Sequence, residues 1–287
     1  MIDAAGESPR RHGIRIAVIW AVLTAIALPL IILVLGPHLP PGRMSAEAAD
    51  QTDANLRLTA LLVPILLLIL VFFGYAIFAF RQPSSGSAIV DGPPIRGNNR
   101  VQLIWLLATA VIVVALAVWG SYTLVESARG AGGGQGPSAP IPPKGNPPRV
   151  PIQVIGQQWA WTYRYPSFGD FETRELLLPV NEVVEFHVTS LDVTHSFWAY
   201  RLGVKADAVP GVDNIAFVTA HKTGSFTIRC AELCGLWHGH MYGTGHVVSA
   251  GDFRLWAAHK RAAFAPFSRY MEPFSRAYFP LPLHRAG

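Results

Sequence analysis

Ser225-Phe-Thr-Ile-Arg-Cys230-Ala-Glu-Leu-Cys234-Gly-Leu-Trp-His238-Gly-His-Met241 is a short β-like run that opens into a loop dense in metal-binding side chains. From Cys230 to Met241, two thiols, an imidazole and a thioether fall within twelve residues. Soft sulfur with imidazole suits copper, zinc or an iron-sulfur cluster, and a methionine among the donors favours copper. A mononuclear blue-copper site takes two histidines, one cysteine and a weak axial methionine, so the loop carries one cysteine too many and one histidine too few. His195, in Leu191-Asp-Val-Thr-His-Ser-Phe-Trp198 after the apolar run 183–190, supplies the second imidazole. Two thiolates bridging two ions, each ion with one histidine, use every donor once Met241 and a loop carbonyl take the weak axial positions. Two other readings compete: a disulfide between Cys230 and Cys234 in an exported domain, and a tetrahedral Cys2His2 zinc site that leaves Met241 without a role. His240 stands beside a better-spaced ligand and reads as solvated.

Around this loop the chain breaks into short β-like runs at 150–155, 159–165, 175–178, 183–190, 215–219, 225–230 and 246–248. Pro166, Pro179-Val-Asn181, Pro210-Gly211 and Gly224 punctuate them. Short strands at this spacing predict a β-sandwich or Greek-key barrel over residues 151–250. A terminal helix capped by Asp252 and running to about Phe264, then an irregular tail, fills 251–287. Upstream, 127–150 contains Gly132-Gly-Gly134 and Pro142-Pro143 and reads as a partly extended linker.

Toward the N-terminus the composition changes. A chain that is 51% hydrophobic and 14% charged places part of its apolar mass in lipid. Three runs at 14–35, 58–80 and 101–124 reach the length a bilayer core of about 30 Å demands. Arg10 and Arg11 precede the first and Arg15 stands at its start, and Arg81, Arg96 and Arg100 lie between the second and third, which puts both flanks inside and everything beyond 124 outside. Residues 56–126 thus form a two-helix membrane hairpin. Residues 1–40 hold either an extra membrane helix or a signal peptide with Ala46-x-Ala48 as its cleavage site; the length of the apolar run and the distance to that site favour a retained helix. The formal net charge is +5, yet no lysine/arginine run resembles a nucleic-acid patch, so no nucleic-acid partner is expected. The β-region carries six Lys/Arg against nine Asp/Glu. Its acids are either an ordinary solvated surface or a field that steers a basic protein partner.

With these residues in hand, the chain resembles subunit II of the haem-copper cytochrome c oxidases over roughly residues 58–257. In that family Cys-x-x-x-Cys-x-x-x-His-x-x-Met with an upstream histidine holds the dinuclear CuA centre. The resemblance implies a cupredoxin-like domain outside an α-helical membrane anchor, and two copper ions held by His195, Cys230, Cys234, His238, Met241 and the carbonyl of Glu232. It also implies a magnesium ion near the Glu232 side chain at a boundary with catalytic subunit I. Gln157-Gln-Trp-Ala-Trp-Thr-Tyr-Arg-Tyr165 is similar to the family's aromatic stretch, and Trp159 matches the tryptophan that receives the electron from cytochrome c. Asp192 matches an acidic docking position, with Asp170 and Glu172 as neighbours.

The resemblance implies that cytochrome c docks outside a bacterial plasma membrane, on the periplasmic face, and that electrons pass to the catalytic subunit, where oxygen is reduced to water. Two features depart from the pattern: Gln102 stands where the family often has a glutamate at a proton pathway, and the proline after Ile104-Trp105 is absent. No Cys-x-x-Cys-His is present, so no c-type haem is fused to the chain. A copper-bearing nitric oxide reductase subunit, a membrane-tethered copper carrier and a quinol oxidase subunit are the rivals; the last lacks the copper ligands.

Overall fold

A computed structural model describes residues 8–38, 40–80, 97–127, 147–271 and 274–275. The expected linker, save its ends, and most of the C-terminal tail lie outside the described residues, as do Arg81 and Arg96. The chain divides into two compact units, one of residues up to 38 with 54–122, the other of 39–53 with residues from 123 onward.

The first unit is helical. α1 (Pro9–Pro29) continues through a π-helical stretch (Leu30–Leu35), α2 is Ala46–Ala79 and α3 is Asn99–Ser127. Three spans, Arg10–Leu35, Ala46–Ala79 and Asn99–Thr123, are long and apolar enough to cross a membrane. Their large side chains, Leu33, Phe73, Phe78 and Ile104 among them, are exposed, as lipid-facing residues must be. In hydrocarbon an unpaired polar group is costly, and two polar side chains of α1 find partners on α2. Trp20 donates its indole N–H to the carbonyl of Pro64 at 2.8 Å, and the His12 Nδ1 meets the Tyr75 hydroxyl at 2.7 Å, so α1 packs on α2 through two polar contacts. Asn98 caps α3, its side-chain oxygen accepting from the amides of Arg100 and Val101.

Among the described residues, the second unit is a β-sandwich of ten strands. They are β1 (Arg149–Gln157), β2 (Ala160–Tyr165), β3 (Phe171–Thr173), β4 (Leu176–Pro179), β5 (Val183–Ser190), β6 (His195–Ala199), β7 (Val204–Ala208), β8 (Asn214–Thr219), β9 (Gly224–Cys230) and β10 (Tyr242–Val248). One sheet has the order β3-β2-β1-β5-β8 and the other β4-β10-β9-β6-β7. β1 runs parallel to β5 and β4 to β10, while every other pair is antiparallel. Alternate residues of the two inner faces, such as Ile152, Val154, Phe186, Val188, Phe197, Phe226 and Ile228, form the core.

β1 departs from alternation because Gln153 is buried as well, on the opposite face. Its amide donates to the Ser275 carbonyl at 2.5 Å, and the Phe274 ring covers the Arg164 guanidinium, so C-terminal residues close that side of the sheet.

β3, β6 and β7 were not anticipated. Each has at most five residues; β3 and β6 alternate weakly, and β7, Val204-Lys-Ala-Asp-Ala208, alternates but over five residues only, so sheet pairing adds what the short local pattern does not give. The terminal helix α4 (Ala250–Phe264) starts earlier than expected: Ser249 is its cap, accepting from the Asp252 amide at 3.1 Å, while Asp252 sits in the first turn and accepts from the Ser249 hydroxyl. A short hydroxyl at this position reaches the amide three residues on, and the acid in the first turn suits the positive end of the helix.

The segment before α2 belongs to the β-unit. Ser45 caps α2 through the Ala48 amide and donates to the Leu202 carbonyl at 2.7 Å, Met44 enters the sandwich core, and Gln51 donates to the Gly203 carbonyl.

Two glycines test this packing with opposite sign. A Cβ on Gly245 would lie 2.3 Å from the Phe226 ring across the β9–β10 pair, whereas one on Gly251, in the first turn of α4, meets only Ser249 Oγ at 3.8 Å. Gly245→Ala is expected to destabilise the β-unit by about 1–3 kcal/mol through overpacking. Gly251→Ala is expected to stabilise it by about 0.4–1 kcal/mol. Chemical denaturation followed by tryptophan fluorescence of the sandwich checks both.

Candidate metal centre

The ligand loop is the connection from β9 to β10, and hydrogen bonds close it on itself. The Cys230 amide donates to the Met241 carbonyl at 3.0 Å, and the amides of His238 and Met241 donate to the carbonyls of Gly235 and His238. Its base is joined to β6 by the Ala231 amide donating to the Ser196 carbonyl at 2.9 Å. In the β6–β9 pairing Phe197 lies opposite Cys230. Side chains alternate along a strand, so His195, two residues before Phe197, projects from the same face beside the loop. His195 is thus the first residue of β6 rather than an extension of β5. Trp161 packs edge-on to both His195 and Phe197, and Gly156 makes room, since a Cβ there would come within 3.0 Å of the His195 ring.

These elements bring the donors together. The Sγ atoms of Cys230 and Cys234, both free, are 3.7 Å apart. His195 Nδ1 is 3.9 Å from the Cys230 sulfur, and His238 Nδ1 is 3.5 Å from the Cys234 sulfur. Met241 Sδ is 3.9 Å from Cys234, and the Glu232 carbonyl lies 3.2 Å from Cys230. Taking metal–sulfur and metal–nitrogen bonds of about 2.3 and 2.0 Å, donors on one ion at a tetrahedral angle sit roughly 3.5–3.8 Å apart. The sulfur–sulfur and sulfur–imidazole separations of 3.5–3.9 Å lie close to that spacing, and each sulfur has its own imidazole, so the residues present fit a centre in which a thiolate pair is shared. Among the described residues, His195, Cys230 and Cys234 are the one cluster of three or more His, Cys, Asp or Glu donors within reach of each other. Met241 is buried, while the Glu232 side chain points to solvent and only its carbonyl faces the sulfurs.

Electrostatics separate the two thiols. Burial raises the Cys230 pKa, but His195 and the polar groups of Ser196 and Glu232 outweigh it and bring it down to about 6. Burial and the neighbouring Cys230 thiolate push Cys234 up to about 12. Two thiols this close resist sharing two negative charges, and a cation between them removes the conflict. Burial disfavours the His195 cation, yet Cys230 and Asp192 together raise its pKa.

Trp159 is half-buried and donates its indole N–H to the Cys234 carbonyl at 3.2 Å, so it touches the ligand loop directly. Asp192 also arrives at the centre, its carboxylate accepting from His195 Nε2 at 2.8 Å. Asp170 and Glu172 lie elsewhere, on the β2–β3 hairpin. Asp170 grips the buried Arg164 guanidinium through both oxygens at 2.6 and 2.5 Å, and Glu172 pairs across the strands with Arg164. Burial raises the Glu172 pKa, opposed by Arg164. Gln102 lies in the first turn of α3 and is exposed.

Sequence reasoning missed Gln158, whose side-chain amide donates to the Cys234 carbonyl at 2.8 Å, and Gly235, whose φ of +113° and close approach to Gln158 and Trp159 leave no room for a side chain. The loop also exposes Leu233, Leu236 and Trp237.

Two family models match the chain. One described as cytochrome c oxidase subunit II, transmembrane domain, covers residues 43–124, and one described as cytochrome c oxidase subunit II, periplasmic domain, covers 170–248. Together they take in more than half of the chain and every donor named above, whereas α1 and Trp159 fall outside them.

Among curated proteins, cytochrome c oxidase subunit 2 of Thermostichus vulcanus is 28% identical over 292 residues, covering 87% of this chain and 88% of that one. The probable cytochrome c oxidase subunit 2 of Rickettsia bellii is 32% identical over 189 residues, covering 58% and 65%. Among solved structures, the periplasmic domain of subunit II of cytochrome oxidase of Bradyrhizobium japonicum is 36% identical, with 40% of this chain and 95% of that chain covered and a TM-score of 0.39. A helical membrane anchor matching one half of a subunit and a β-sandwich matching its periplasmic half, in the same order, place the chain in the cytochrome c oxidase subunit II family.

Proposed function

We propose that this chain takes electrons from cytochrome c at a dinuclear copper centre and passes them to a haem-copper catalytic subunit, where oxygen is reduced to water. The carrying observation is the pair of free sulfurs 3.7 Å apart, each flanked by a different histidine. His195, Cys230, Cys234, His238, Met241 and the Glu232 carbonyl would hold the copper, which supplies a one-electron couple spread over two ions. The protein keeps water away by burying His195, Met241 and Cys234 at 0, 1 and 3% exposure. His195 and Cys230 sit on the paired strands β6 and β9, and the loop that carries the other donors is closed by its own hydrogen bonds, which leaves little freedom for rearrangement when the charge changes and favours fast transfer over metal exchange. A copper carrier needs exposed, exchangeable donors, and this burial argues against one.

Trp159 is the proposed point of electron uptake, because its indole touches the loop carbonyl between the cysteines and His238 while part of its ring reaches the surface. A basic donor protein suits the acidic balance of the β-region. The membrane is proposed to be a bacterial plasma membrane with the sandwich on its periplasmic face. The Trp20–Pro64 and His12–Tyr75 contacts support retention of α1 as a third membrane span.

Three outcomes are expected. In the purified oxidase complex, Cys234→Ser abolishes oxygen consumption on reduced cytochrome c while the haem spectra of the catalytic subunit stay intact. Trp159→Phe leaves copper content unchanged but slows electron uptake in stopped flow by about tenfold or more, equivalent to about 1.4 kcal/mol of barrier. Intact-mass analysis of the mature chain finds residues 9–35 present; a mature N-terminus after Ala48 would show α1 to be a cleaved signal.

A further inference from the structure

Asp192 is an acid on the turn between β5 and β6, a place where a surface charge would normally face solvent. Its side chain is 32% exposed, and its carboxylate is instead turned to the protein. Oδ1 accepts from His195 Nε2 at 2.8 Å and from the Val193 amide at 2.6 Å; Oδ2 accepts from the Gln158 amide at 2.6 Å. The Ser190 hydroxyl adds a longer contact at 3.3 Å. An imidazole has one N–H when neutral. With that hydrogen on Nε2 and given to Asp192, the Nδ1 lone pair is left facing the sulfur pair, which is the tautomer a metal ligand requires.

The connection goes further. Gln158, whose backbone amide holds Asp192, sends its side-chain amide to the Cys234 carbonyl at 2.8 Å, the same oxygen that accepts from the Trp159 indole. Hydrogen bonds therefore run from His195 through Asp192 and Gln158 to Cys234, joining ligands carried by β6 and by the loop. Gly235, next to Cys234, has no side chain to obstruct the contact: a Cβ there would meet Gln158 Nε2 at 2.9 Å.

We propose that Asp192 and Gln158 are positioning residues of the metal centre: Asp192 presents His195 in its Nδ1-binding form, and Gln158 locks that carboxylate and Trp159 to the cysteine loop. This rests on the loop being a metal centre, but it assigns Asp192 a task different from docking a donor. The carboxylate also places a negative charge behind one ligand, which favours the more oxidised, more positive metal.

The full chain in its solubilised oxidase complex tests this with Asp192→Asn, Asp192→Ala and Gln158→Met. In the metal-stripped complex carrying nitrogen-15 histidine, His195 is expected as the Nε2–H tautomer in the parent. Asp192→Asn keeps an acceptor and preserves that tautomer, while Asp192→Ala loses it. With copper restored, both Asp192 variants lose the negative charge and show a higher midpoint potential, whereas only Asp192→Ala, which removes the acceptor, sheds copper to a chelator about 10–100 times more readily. Gln158→Met leaves the His195 tautomer alone and slows electron uptake from cytochrome c several-fold. If Asp192→Ala leaves tautomer and copper retention untouched, neither variant shifts the potential, and both raise only the salt-dependent KM for the donor, Asp192 is a docking acid and the proposal fails. A tautomer response as predicted in a chain that takes up no copper would support the positioning role while removing the copper reading, so the two fail separately.

Discussion

The pairing of β6 with β9, with Phe197 opposite Cys230, is the constraint on which the centre depends. Before folding, His195 and Cys230 are separated by more than thirty residues, and neither strand is strongly apolar along its length. Once paired, the two-residue period of β6 sets the imidazole beside the mouth of the loop, and the Ala231–Ser196 hydrogen bond holds the loop base to the same strand. A slip of one residue in this register would turn His195 to the opposite face of the sheet and leave the sulfurs with one histidine. The sandwich core beneath, with Phe186 and Trp161 against Phe197, resists that slip through packing that has nothing to do with metal.

Much of this was legible in the sequence, for definable reasons. The three apolar spans announce themselves by length alone. The donor set of the loop is compact, and the surplus of one cysteine over a blue-copper site indicated a shared thiolate pair before any distance was known. His195 was recoverable because the loop lacked a second imidazole. The acid at 192, by contrast, reads as a surface charge in a linear pattern; only the β5–β6 turn reveals that its carboxylate faces inward. Gln158 gave no signal for the same reason, since its partners lie at positions 192 and 234. The strands β3 and β6 are short and alternate weakly, β7 alternates over five residues only, and Ser249 caps α4 with a neutral hydroxyl that a linear pattern distinguishes poorly from the charged Asp252 three residues on.

Electrostatics and packing act together at this site. Two buried thiols at this separation hold one charge comfortably and two with difficulty, as the opposite directions of the Cys230 and Cys234 shifts show. Hydrogen bonds to the surrounding backbone and the His195 imidazole lower the cost of the first charge; a bound cation would lower that of the second. Such a donor set suits a positive occupant that prefers soft ligands, in line with the copper centre proposed above.

Metal analysis of the purified full chain, combined with electron paramagnetic resonance of its oxidised form, tests the central claim most directly. The account predicts two copper ions per chain and an unpaired electron whose hyperfine pattern shows coupling to both nuclei. One metal ion per chain, zinc in place of copper, or a spin confined to a single copper would contradict it.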